Sequence, residues 1–80
     1  MITKEQIHIL KHSLGIRDNE PYKDDTYRNR FADDPANPIC ERLTEMGLMK
    51  RGKTLSGGLV LYHVTEKGRE VLKALERGRE

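Results

Sequence analysis

Ile7, Leu10 and Leu14 fall three or four residues apart, the spacing that lines one face of a helix, while Lys4, Lys11 and His12 lie largely off that face. Thr3 with Gln6 three residues on forms a capping box, and Ile2 is placed to staple onto Ile7, so a helix is predicted to begin at Lys4. Gly15 followed by Ile16 reads as a left-handed stop with an apolar clasp, ending that helix near Leu14. Ile39, Leu43 and Met46 form a second stripe with Cys40 beside them, opened by Asn37 as N-cap and Pro38 as first residue and closed by Gly47-Leu48. From Leu48 the period changes. Leu48 to Lys53 reads as a strand, Ser56-Gly57-Gly58 as a flexible turn and Leu59 to Val64 as a β-rich return strand, together a hairpin. Thr65 then caps a last helix with Glu66 in its first turn and Val71, Leu72 and Leu75 facing inward, before Arg77-Gly78-Arg79-Glu80 frays.

Residues 17–37 interrupt this order. They are acidic and rich in turn residues around a central Tyr27-Arg28-Asn29-Arg30-Phe31. A structureless loop of that length is unusual in a compact domain, so a short helical or irregular segment is expected from Asp25 to Ala32, with Tyr27 and Phe31, four apart, touching the core. A chain of 80 residues makes a single domain, 1–80, because two halves could not each bury a core. The expected fold is mainly α with a β-hairpin, an α+β winged-helix-like arrangement of three to four helices and a two-stranded wing.

Two segments carry a family likeness. Arg42-Leu43-Thr44-Glu45-Met46-Gly47-Leu48-Met49-Lys50-Arg51 resembles the end of the recognition helix and the first wing strand of MarR-type winged-helix regulators. Tyr62-His63-Val64-Thr65-Glu66-Lys67-Gly68-Arg69-Glu70-Val71-Leu72 resembles their second wing strand and the helix after it. The resemblance covers residues 37–75 and implies the family's fold, DNA binding and a homodimer. The Tyr-Arg-Asn-x-Phe segment is similar to one in small uncharacterised phage or prophage proteins, a likeness that implies kinship without an activity.

Charge decides where a partner would touch. The formal net charge is +2, acidic over residues 17–37 and mildly basic over 38–80, which permits duplex DNA binding without demanding it. The DNA-binding candidates are Asn37 and Arg42 near base edges and Lys50, Arg51 and Lys53 on the first arm of the hairpin, with Ser56-Gly57-Gly58 letting the tip approach closely. The same lysines also suit a solvated strand edge that blocks unwanted pairing. The rival expectation is an accessory domain that binds a protein partner and no DNA, through Tyr27, Arg28, Arg30 and Phe31. Asp33 and Asp34 beside the would-be recognition helix favour that rival.

Catalysis and cofactors are not expected. His8 and His12 are four apart, but no glutamate follows His8 in the zinc-protease pattern, and Cys40, the only cysteine, has neither a disulfide partner nor an evident histidine. No apolar stretch approaches a membrane span, and the chain opens on a polar helix start, so a cytoplasmic protein without a membrane partner is expected.

Overall fold

In the computed structural model, which describes residues 2–77, the local start and stop signals act as their chemistry requires. Helix α1 (Lys4–Ser13) opens with Gln6 N–H donating to Thr3 Oγ1 at 3.1 Å and Thr3 N–H donating to Gln6 Oε1 at 2.9 Å. It closes where Gly15 adopts φ +76° and lets Gly15 N–H reach the His12 carbonyl and Ile16 N–H the Lys11 carbonyl. Helix α2 (Pro38–Glu45) ends identically at Gly47, with Leu48 N–H bonded to the Leu43 carbonyl. Strands β2 (Met49–Thr54) and β3 (Val60–Val64) follow as an antiparallel hairpin, and Thr65 Oγ1 accepts from Gly68 N–H to start α3 (Glu66–Arg77).

Residues 25–32 do not form the expected helical segment. The chain runs extended and becomes β1 (Phe31–Asp33), which pairs antiparallel with β3 as Phe31↔Tyr62, Ala32↔Leu61 and Asp33↔Val60. The sheet therefore has three strands in the order β1-β3-β2. This overturns the winged helix with a two-stranded wing: the described residues form a small α+β fold of three helices and a three-stranded antiparallel sheet. The physical reason is the free edge of β3, whose backbone groups need partners on the side away from β2. Asn29 starts the closure with its side chain, donating Nδ2–H to the Val64 carbonyl at 2.9 Å and accepting from Val64 N–H at 2.7 Å. Because α2 follows β1 after residues 34–37, no scaffold helix precedes it, and the helix-turn-helix needed to present a recognition helix is not formed among the described residues.

Leu10, Leu14, Cys40, Leu43, Met49, Tyr62 and Leu72 are buried where the helices meet one face of the sheet. Gly68 sits so close to the Leu48 carbonyl that a Cβ there would collide with it, which fixes how α3 approaches the end of α2. The arm of residues 17–30 is held by polar contacts instead. Lys11, placed on the polar side by its spacing, is buried and donates Nζ–H to the Asp18 and Glu20 carbonyls. Arg69 reaches Tyr22 and Thr26, and Lys73 pairs with Asp24 at 3.1 Å, tying the arm to α3. Tyr27 is not a core residue: it is 78% exposed, its ring lying against Gly15, while Phe31 packs at the core margin.

Candidate nucleic-acid interface

Alternation along β3 divides the sheet into two faces. Val60, Tyr62 and Val64 are buried against the helices, so Leu61 and His63 point to the opposite, uncovered face. Lys50 is paired with His63, and extending the Phe31↔Tyr62 register by one residue sets Arg30 opposite His63 from the other side. Arg30, the residue just before β1, thus falls in line with His63 of β3 and Lys50 of β2, and at about 4.8 Å per strand the two outer positions stand about 10 Å apart. A slip in pairing between Arg51↔Tyr62 and Thr54↔Val60 sets Gly52 and Lys53 together opposite Leu61, which adds Lys53 to the same face. Ala32 and Leu61 complete it, beside a shallow hollow of about 230 Å³ that Arg28 and Arg30 flank. Among the described residues no carboxylate stands in the row itself; the nearest along β1 is Asp34, which the same alternation sets beyond Ala32 toward Leu59. Among the described residues the side chains of Arg30, Lys50 and Lys53 are exposed and make no hydrogen bond or ion pair.

The two sets of residues expected from sequence are redistributed. Asn37 is consumed as the N-cap of α2, its Oδ1 accepting from Ile39 N–H at 3.0 Å. Arg42 is exposed on α2, on the helix side of the sheet, and Arg51 turns to that same side, where its Nε donates to Glu41 at 2.9 Å. Only Lys50 and Lys53 of the DNA-binding set remain together. From the other set, Arg28 donates to the His12 carbonyl at the end of α1 at 2.8 Å, a helix-terminus contact that suits its charge. Tyr27 stays on the arm beside it, and Phe31 meets His12 edge-on at 5.7 Å. Arg30 joins the lysines. Sequence reasoning had placed it with a different partner, and the signal that would have moved it is the β1 pairing.

On the helix side of the sheet Arg51 is neutralised, while Arg42 stays exposed. Glu41 receives Arg51 and also the Tyr62 hydroxyl at 2.6 Å. The Arg51 hydrogen bond, with that of Tyr62, holds the Glu41 carboxyl below its usual range, while burial and then the bond to Glu41 push Tyr62 up to about 12. Cys40 is fully buried, and burial together with the Asp33 carboxylate, which accepts from its thiol at 3.5 Å, pushes it up to about 12, far from a thiolate nucleophile. His8 is paired with Asp18 at 2.8 Å, and among the described residues no three His, Cys, Asp or Glu side chains are placed to hold a metal ion.

A second concavity, about 520 Å³, opens between α1 and α3 over Ile7, Ile39, Leu72 and Leu75, with charges of both signs at its rim. No described helix is long and apolar enough to cross a membrane. No family model, curated protein or solved structure matches this chain.

Proposed function

We propose that the chain is a small nucleic-acid-binding regulatory domain that holds the phosphate backbone of duplex DNA on the uncovered face of its sheet. The observation that carries this reading is the row of Arg30 and Lys50 with Lys53 beside it, each cation without a partner among the described residues. Arg30 and Lys50 flank β3 from its two sides, and an anion laid across the row is attracted by both at once. Among the described residues this face bears no aromatic ring other than the His63 imidazole, so it lacks the stacking platform of single-strand binders and offers contacts to phosphates rather than to bases. Binding is accordingly of low sequence specificity.

Fluorescence anisotropy with a labelled duplex tests the reading through salt. Three phosphates neutralised give a slope of about −2.7 in log K against log salt, or a loss of roughly 40-fold between about 50 and about 200 mM. Absence of binding at low salt, or a flat salt dependence, overturns it.

The groove between α1 and α3 favours a second reading, an accessory domain that binds a protein and no DNA. A groove of this size, apolar at its floor and charged at both rims, has the form that receives an amphipathic helix. Leu75→Glu separates the readings, since it spoils the groove and leaves duplex binding in place.

A further inference from the structure

His63 stands in the middle of the cation row, and two contacts fix how its ring is presented. Nδ1 lies 2.6 Å from the backbone carbonyl oxygen of Asn29. A carbonyl oxygen only accepts, so Nδ1 carries the hydrogen whether or not the ring is charged. Nε2 is then the atom that gains or loses the proton. It has no hydrogen-bond partner among the described residues, yet it is not one of their fully buried unpartnered atoms, so part of its surface is accessible.

The ring can lie there because residue 52 has no side chain. A Cβ on Gly52 would stand 2.5 Å from Nε2 and 2.8 Å from Cδ2 of His63. Gly52 does not adopt a positive φ, so backbone geometry does not require glycine at this position. What the glycine supplies is room for the imidazole, at the stability cost that glycine carries within a strand. The charged groups facing the ring are Arg30, just before β1, and Lys50 from β2, with Lys53 next to Gly52. Besides Arg30, the arm contributes the Asn29 carbonyl, and His12 of α1 lines the adjoining hollow with Arg28. Among the described residues no carboxylate is paired with the ring to answer a positive charge on it.

Building on the nucleic-acid reading of this face, we propose that His63 is a phosphate-binding residue, donating Nε2–H to a backbone phosphate as the imidazolium, so that DNA binding takes up a proton. Arg30 and Lys50 hold the polyanion at any pH near neutrality. His63 adds a third point of attachment only when protonated, which makes the grip tighter in mildly acidic conditions. By linkage, the bound phosphate favours the charged ring as much as the charged ring favours the phosphate.

The test is duplex affinity at one low salt concentration between about pH 8 and about pH 5.5, the span over which histidines charge. The wild-type chain is expected to bind about fivefold to tenfold more tightly at the acid end. His63→Gln is expected to match the wild type at the alkaline end and to lose the pH dependence, while His12→Gln keeps it. Should His63→Gln fold poorly, the wild type still decides the matter by NMR: the titration midpoint of the His63 Cε1–H resonance is expected to rise when duplex is added. An affinity independent of pH, a pH dependence that follows His12, or an unmoved His63 midpoint overturns the role of His63 and leaves the cation face standing. No duplex binding at low salt at any pH overturns both.

Discussion

The two faces of the sheet treat charge in opposite ways, although they share the same strands. On the helix side one cation, Arg51, is met by Glu41, and the Tyr62 hydroxyl donates to the same carboxylate oxygen. On the uncovered side Arg30, Lys50 and Lys53 are met by nothing among the described residues. The neutralised face is built for stability. The other accumulates like charge that folding does not need, and this difference is the ground for assigning it to a ligand. A simpler explanation exists for lysines on β2, an edge strand, because a charged edge discourages pairing with other chains. Mutations that preserve a charged edge while reversing its sign separate the two explanations.

The largest effect is expected from removing the contact that creates both faces. Asn29→Ala leaves Val64 without partners for its N–H and C=O on the β1 side and releases the start of β1. With about 1 kcal/mol or more for each lost bond, a destabilisation of about 2–3 kcal/mol is expected, or a fall in Tm of roughly 10 °C or more for a domain of this size. Arg30 loses its place in the row at the same time, so duplex binding weakens even under conditions where the variant is folded. Thermal melting followed by circular dichroism, with anisotropy on the folded fraction, measures both.

Reversing the uncovered face acts on binding alone. Lys50→Glu with Lys53→Glu keeps a charged edge strand and exposes no new apolar surface, so stability is expected to change by no more than about 0.5 kcal/mol. Affinity for duplex at low salt is expected to fall at least about tenfold, and the slope of log K against log salt to shrink by about 1.8. If affinity is unchanged, the lysines serve only the strand edge. A large loss of stability would mean that the face is not the separable surface described above.

Local signals in the chain were readable because their physics is local. The capping box at Thr3 and Gln6, the caps at Asn37 and Thr65, and the glycine stops at Gly15 and Gly47 each involve residues within six positions of one another. The hairpin was legible for the same reason. β1 was not, because its three residues carry little alternation and its placement depends on Asn29 meeting Val64, 35 residues away. The uncovered face inherits that illegibility: without β1 there is no reason to group Arg30 with Lys50. Burial of Lys11 was hidden as well, since only the fold of residues 17–20 supplies carbonyls to receive it. Gly52 interrupts a strand where no turn is needed, which marks a close approach, and the group that approaches is His63.

The smallest effect is expected on the neutralised face, where loss of a charge leaves the rest of the contact in place. Arg51→Gln removes a half-exposed, solvent-screened ion pair, so stability should fall only slightly while duplex affinity stays within about twofold of wild type. The pH dependence of the same contact has a sign at each end. Glu41 titrates below its unfolded value, so the stability it contributes is complete above the ordinary carboxylate range and is lost as pH falls toward its folded value. Tyr62, raised from 10.0 to about 12, contributes stability that is complete below pH 10 and is lost as pH climbs toward 12. Glu41→Gln is therefore expected to flatten the acid limb of the stability profile, and Tyr62→Phe the alkaline limb, each leaving the other limb in place. If either substitution altered duplex binding as strongly as Lys50→Glu with Lys53→Glu, the two faces would not be independent, and the assignment of the uncovered one to DNA would lose its basis.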